Sequence, residues 1–209
     1  MKTRSWMGGA LVSLCVAGTS FAATGAENMA RDLHFNENAT KVGMDVRLGA
    51  GGLMGEAGQY TKVGPLVGIT AGAQPWRNLG VEAGVEGQRL PIADSRVAEG
   101  EAMYRYNVGL LAKAGPLVMQ EKLRPYVGVG AGVSYLNATS GAEALYRNDI
   151  VTEVPFAAGL DYRFGNGISA GARASYRVLF GEEFADSATS NGQSGGNLVN
   201  VAATVGGRF

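Results

Sequence analysis

From Lys41 to Phe209 the chain alternates between apolar and polar positions with a period of two. In the first segment Val42, Met44, Val46, Leu48 and Ala50 share one face, and Lys41, Gly43, Asp45, Arg47 and Gly49 share the other. The alternation returns over residues 63–74, 79–88, 104–113, 124–135, 153–164, 168–180 and 199–209. Each segment is close to the ~10 residues a tilted strand needs to cross hydrocarbon, and a period of two excludes amphipathic helices. Eight segments form an even set, which lets a single antiparallel chain close on itself. The pattern predicts an all-β, eight-stranded antiparallel up-and-down transmembrane β-barrel over residues 41–209.

The connections alternate as well. Gln74-Pro75-Trp76-Arg77-Asn78 and Gly165-Asn166-Gly167 carry tight-turn chemistry, whereas Gly115 to Glu121 is longer than a tight turn needs. Ala93 to Ala102, Asn137 to Asp149 and Gly181 to Gly196 are long and polar. With both termini in the periplasm, these long loops face the cell exterior.

Alternation alone admits two arrangements, because a soluble lipocalin-like barrel with its apolar face inside has the same period. Three features favour lipid outside. Glycines interleave with long charged groups on the polar face, as a narrow interior requires. Tyr104, Tyr135, Tyr162, Phe164, Tyr176 and Phe180 gather near segment ends on the apolar face, as interfacial girdles do. The last residue is Phe209.

Charges turned inward must neutralise one another. The predicted interior network comprises Asp45, Arg47, Glu82, Glu86, Arg105, Lys113, Arg124, Glu153, Asp161, Arg163, Arg173 and Arg177. Closing the sixth and seventh strands on Gly165-Asn166-Gly167 sets Asp161 diagonal to Arg173 and Glu153 diagonal to Arg177. Across the third hairpin, Glu82 and Glu86 reach toward Arg105 and Lys113. Such side chains fill an eight-stranded lumen, so a plugged barrel is expected, without a diffusion pore.

Composition narrows the picture further. Eighteen basic and eighteen acidic residues leave no net charge, so nothing points to nucleic acid. Lys2 and Arg4 precede an apolar run from Trp6 to Ala17, then Ser20-Phe21-Ala22, the pattern of a secretory signal peptide over residues 1–22. Residues 23–40 are polar and aperiodic, a flexible periplasmic leader. The single cysteine, Cys15, falls within the signal peptide, so thiol, zinc and iron–sulfur chemistry are not expected, and no metal or cofactor is. A lipidated Cys15 is disfavoured by Leu14 before it.

The stretches Pro75-Trp76-Arg77-Asn78-Leu79-Gly80-Val81-Glu82-Ala83-Gly84, Leu123-Arg124-Pro125-Tyr126-Val127-Gly128-Val129-Gly130-Ala131-Gly132 and Ala158-Gly159-Leu160-Asp161-Tyr162-Arg163-Phe164 resemble the outer-membrane β-barrel family that includes the OmpA transmembrane domain and OmpX-like proteins. That resemblance implies location in the cell outer membrane, a lipid surround, and insertion by the barrel-assembly machinery, which reads a C-terminal strand ending in an aromatic such as Phe209. Gly207 departs from the bulky residue usual in that signal.

No catalytic residues are assigned. Some barrels of this kind are lipid-modifying enzymes with a histidine-assisted nucleophile, but the only histidine, His34, precedes the first strand. Glu82 and Glu86 read as ion-paired filler, and Glu182, Glu183 and Asp186 as part of a solvated loop. Tyr146-Arg147-Asn148-Asp149 invites a surface-recognition reading toward an extracellular partner, with a plain solvated loop as the simpler one. The expected role is structural or surface-interacting, with a periplasmic small-ligand carrier as the alternative.

Overall fold

The computed structural model describes residues 41–55, 58–76, 78–95, 98–164, 167–180 and 195–208. The signal peptide, leader, Cys15 and His34, the 181–194 connection, the Gly165-Asn166 dipeptide and Phe209 lie outside the described residues. Eight strands follow one another: β1 (Lys41–Met54), β2 (Gly64–Trp76), β3 (Leu79–Pro91), β4 (Ala102–Ala114), β5 (Leu123–Ala138), β6 (Asp149–Arg163), β7 (Ile168–Phe180) and β8 (Gly195–Arg208). Each pairs antiparallel with the next, and β1 pairs with β8 from Gly43–Arg208 to Met54–Asn197, which closes the barrel. Closure satisfies every strand on both sides and removes the edges that hydrocarbon does not tolerate.

The alternation puts the apolar set outward. Val46, Val67, Val108, Val129, Leu160 and Val201 are exposed on the barrel wall, while Arg47, Glu82, Glu86, Arg105, Lys113, Glu153 and Arg173 are buried within it. The carrier arrangement is thereby reversed, since its apolar face is the one left outside. Aromatics band the wall near the loop end, where Tyr106 stands opposite Tyr135 in register and Phe156 opposite Tyr176. Trp76 and Phe164 mark the end that carries both termini of the barrel.

The strands run 13 to 16 residues, longer than crossing hydrocarbon demands. The extra length lies at the loop end, where positions of polar parity become apolar and the walls continue around a core of their own. Leu53, Leu90, Met103, Leu136, Val151, Leu179 and Leu198 pack inside the barrel there, joined by Ala142, Leu145 and Tyr146 from the β5–β6 loop. That loop is fastened down. Thr139 Oγ donates to a Glu101 carboxylate oxygen, the Gly141 N–H donates to the same oxygen at 3.2 Å, and the Ala138 N–H donates to Asn148 Oδ1 at 2.7 Å.

At the terminus end, β2 extends through Gln74-Pro75-Trp76 instead of turning there. A register shift between Ala73 and Trp76 absorbs the proline, which has no N–H for the ladder. The long Gly115 to Glu121 connection is a small hairpin in its own right. Val118 and Leu123 exchange N–H···O bonds of 2.8 and 3.2 Å around Met119, Gln120 and Glu121, whose φ values of 51°, 57° and 66° are left-handed. The Lys122 carbonyl then accepts the Arg163 N–H at 2.7 Å and ties this connection to the end of β6.

The outward face sets the first test. Val108 lies midway along β4 on the exposed wall. Val108→Lys is expected to destabilise the barrel by about 2–4 kcal/mol in lipid vesicles, measured by urea unfolding, because a lysine is placed near the bilayer midplane.

Candidate functional site

Below the apolar cap, among the described side chains, eight cations point inward: Arg47, Arg105, Lys113, Arg124, Arg163, Arg173, Arg177 and Arg208. Five carboxylates meet them: Asp45, Glu82, Glu86, Glu153 and Asp161. They sort into two ion groups stacked along the barrel axis and a cation-rich mouth at the terminus end.

The upper group centres on Arg105, which is wholly buried. Its Nη1 donates to Glu86 at 2.8 Å, and its Nη2 donates to both oxygens of Glu153 at 2.7 Å, spanning the lumen from β4 to β3 and to β6. Glu153 also accepts from Ser134 Oγ at 2.8 Å, Asn107 Nδ2 at 2.9 Å and Arg177 Nη1. Arg177 Nη2 and Arg47 Nη1 complete the shell of Glu86 at 3.1 and 3.3 Å. Each acid therefore meets several donors, the condition under which buried ions are tolerated.

The lower group centres on Glu82, which pairs with Lys113 and with Arg173, each at 2.5 Å. Lys113 also pairs with Asp161 at 2.9 Å. Between these cations stands Tyr126. Its hydroxyl accepts from Arg173 Nε at 2.7 Å, and its ring faces Lys113 Nζ at 4.6 Å and the Arg173 guanidinium at 5.5 Å. Tyr126 fits there because Gly159 lies across from it; a Cβ at Gly159 would come within 2.6 Å of the phenol oxygen. Arg47 joins the two groups, 3.8 Å from Glu82 and 3.3 Å from Glu86. A small cavity of about 40 Å³ lies at that junction. Above it, Gln88 Nε2 donates to Asn200 Oδ1 at 3.0 Å, a bridge from β3 to β8 beneath the apolar cap.

Pairs expected across neighbouring strands are placed together: Glu86 with Arg105, Glu82 with Lys113, and Glu153 with Arg177. Asp161 and Arg173 are not. They are diagonal in register, Gly159 standing opposite Arg173 and Asp161 opposite Gly171. Tyr126 fills the space between and turns Arg173 toward Glu82, so Lys113 takes Asp161. Three other members of the expected network make no ion pair among the described residues. Asp45 accepts from Ser169 Oγ at 3.2 Å, Arg163 Nη2 donates to Gln74 Oε1 at 2.5 Å, and Arg124 lies beside Asp161 in register without bonding it. Tyr126, Asn107, Ser134, Gln74 and Arg208 are lumen residues that charge pairing did not pick out. Their polar-face parity was the available signal.

The recognition patch also divides. Tyr146 is wholly buried in the cap, where burial pushes its phenol well above the usual range, and Asn148 is spent on the Ala138 N–H. Arg147 is exposed.

Removing one partner from the upper group isolates the others. Arg105→Ala is expected to cost about 3–5 kcal/mol in urea unfolding, and the double variant Arg105→Met with Glu153→Leu less than Arg105→Ala alone. A double-mutant cycle separates the two arrangements around Tyr126. Arg173→Ala and Glu82→Ala should couple by about 1 kcal/mol or more, whereas Arg173→Ala and Asp161→Ala should add within about 0.5 kcal/mol.

Several solved structures share the architecture. Neisserial surface protein A is similar with a TM-score of 0.59 at 14% identity, covering 80% of this chain and 97% of that one. Ail, the attachment invasion locus protein of Yersinia pestis, solved with the heparin analogue sucrose octasulfate, gives 0.53 at 12% identity, covering 82% and 99%. At such identities the likeness is one of fold. No curated protein sequence matches the chain. The outer membrane protein beta-barrel domain family matches residues 12–209. With eight closed strands, an apolar wall and a lumen bridged by arginine and glutamate, this chain belongs to the outer membrane β-barrel domain family.

Proposed function

We propose that this protein is a sealed surface barrel, held in the outer membrane by its apolar wall and acting through its exposed loops on a partner outside the cell. The observation that carries the reading is the Arg105 bridge. A guanidinium wholly buried between Glu86 and Glu153 crosses the lumen at its middle, and the apolar cap covers it toward the loops. A barrel meant for diffusion leaves that space to water; here ions and packed side chains take it.

The cap also favours the loops as the acting part. Leu145 and Tyr146 anchor the β5–β6 loop inside the barrel, so Glu143 and Arg147 are presented from a fixed base. Fastening lowers the ordering cost of binding. The two similar structures, a surface protein and an attachment invasion protein, support a surface role. Lipid around the wall, export through a cleaved signal peptide over residues 1–22 and insertion by the barrel-assembly machinery belong to the same reading. It is non-enzymatic: Glu82 and Glu86 are each committed to lumen cations, and His34 precedes the barrel in sequence.

Planar-bilayer recording tests the seal. The parent barrel is expected to show no stepwise porin-type conductance, and Arg105→Ala combined with Glu153→Ala to show brief openings. Steady conductance in the parent would refute a sealed lumen.

A further inference from the structure

The connection between β4 and β5 is out of proportion to its neighbours at the terminus end. Residues 77–78 suffice to join β2 to β3, and residues 164–167 to join β6 to β7, whereas residues 115–122 separate Ala114 from Leu123. The sequence Gly115-Pro116-Leu117-Val118-Met119-Gln120-Glu121-Lys122 divides into an apolar half and a polar half. A tight link needs no such apolar run, and water does not favour one.

The hydrogen bonds decide which way that run faces. Val118 and Leu123 form a mutually bonded antiparallel pair, N–H to O at 2.8 and 3.2 Å, so their side chains leave the ribbon on the same side. Leu123 stands opposite Tyr162 in register, and along β5 it shares the parity of Val127 and Val129 on the exposed wall. Val118 therefore continues the lipid-facing surface past the end of β4, beside Leu123 and then Tyr162, whose ring packs edge-on against Phe164 at 4.9 Å. Met119 comes next and is 67% exposed, and Gln120, Glu121 and Lys122 are exposed at the tip.

The turn is also held in a costly shape. Met119, Gln120 and Glu121 are all left-handed, a region where side chains crowd the backbone. A bond of 3.3 Å from the Lys122 N–H to the Met119 carbonyl closes the turn, and the Arg163 N–H, donating to the Lys122 carbonyl at 2.7 Å, fixes it to the end of β6. Pinning Val118 and Met119 in the open is unfavourable in water. At a bilayer surface it is favourable, because Met119 lies against acyl chains while Lys122 reaches headgroup phosphates.

We propose that the β4–β5 hairpin is a membrane foot: Val118 and Met119 rest on phospholipid, in the interfacial region of the leaflet at the terminus end of the barrel. The row Val118–Leu123–Tyr162 is continuous with the lipid-contacting wall, which selects phospholipid over a protein as the occupant. The foot makes the apolar wall taller on the β4–β6 side than elsewhere at that end. This goes beyond the sealed-barrel reading and does not depend on what the loops bind.

The test uses the full chain with Cys15→Ser, refolded into lipid nanodiscs so that both ends of the barrel meet the buffer. An environment-sensitive dye is placed on Met119→Cys, on Val118→Cys as a second site on the same face, and on Ser140→Cys as an exposed reference on the β5–β6 loop. A phospholipid carrying a nitroxide near its glycerol is expected to quench the dye at Met119 and Val118 severalfold more than at Ser140. Aqueous iodide is expected to show the reverse order. The proposal is overturned if iodide quenches Met119 as it does Ser140 while the lipid nitroxide is inert, since the hairpin then stands in water. It is equally overturned if Met119 and Val118 are shielded from both quenchers, the result for a protein or a second copy of this chain covering the hairpin.

Discussion

Hydrocarbon offers no partner to a charge or a backbone amide, and the rest of the structure follows from that. A strand of period two sends charges to one side and apolar groups to the other, and closing eight strands turns the charged side inward. The lumen is then narrow enough that every ion lies within reach of another wall. Arg105 shows the consequence: with no exposure to water it binds two acids on two other strands, and one of them, Glu153, gathers Ser134, Asn107 and Arg177 as well.

Along the axis the interior changes character in step with what surrounds each level. At the loop end, leucines, Met103 and Tyr146 pack as in a soluble core, and the walls run on to enclose them. At the middle, arginines from β1, β4 and β7 meet glutamates from β3 and β6. Toward the termini, cations outnumber acids, and Gln74 stands in as a neutral acceptor. A single small residue steers the pairing in the lower group. Gly159 admits the Tyr126 ring, Tyr126 turns Arg173 toward Glu82, and Asp161 passes to Lys113.

Much of this was legible in the alternation, and the limits were physical. Strand number, facing and the hairpin pairs Glu86–Arg105, Glu82–Lys113 and Glu153–Arg177 depend only on neighbouring strands, whose separation in sequence is short. Arg47–Glu86 and Arg173–Glu82 cross the lumen between strands that are not neighbours, and nothing in a linear pattern ranks such partners. The apolar cap was hidden because Leu53, Leu90, Leu136 and Leu198 stand at polar-parity positions and resemble lapses in the alternation. The same inversion explains why the strands exceed the expected length. The register shift at Pro75 and the small hairpin at Val118–Leu123 depend on backbone pairing that residue types alone do not specify.

The valine-rich face meets lipid while the ion groups stay out of reach of bulk water. Nitroxide labels on single cysteines at Val67, Val129 and Val201, on three separate strands of the folded barrel in vesicles, address it most directly. Fast relaxation by oxygen, which partitions into hydrocarbon, and weak relaxation by a water-soluble nickel chelate are expected at all three positions. The reverse order of accessibility at these positions would contradict it.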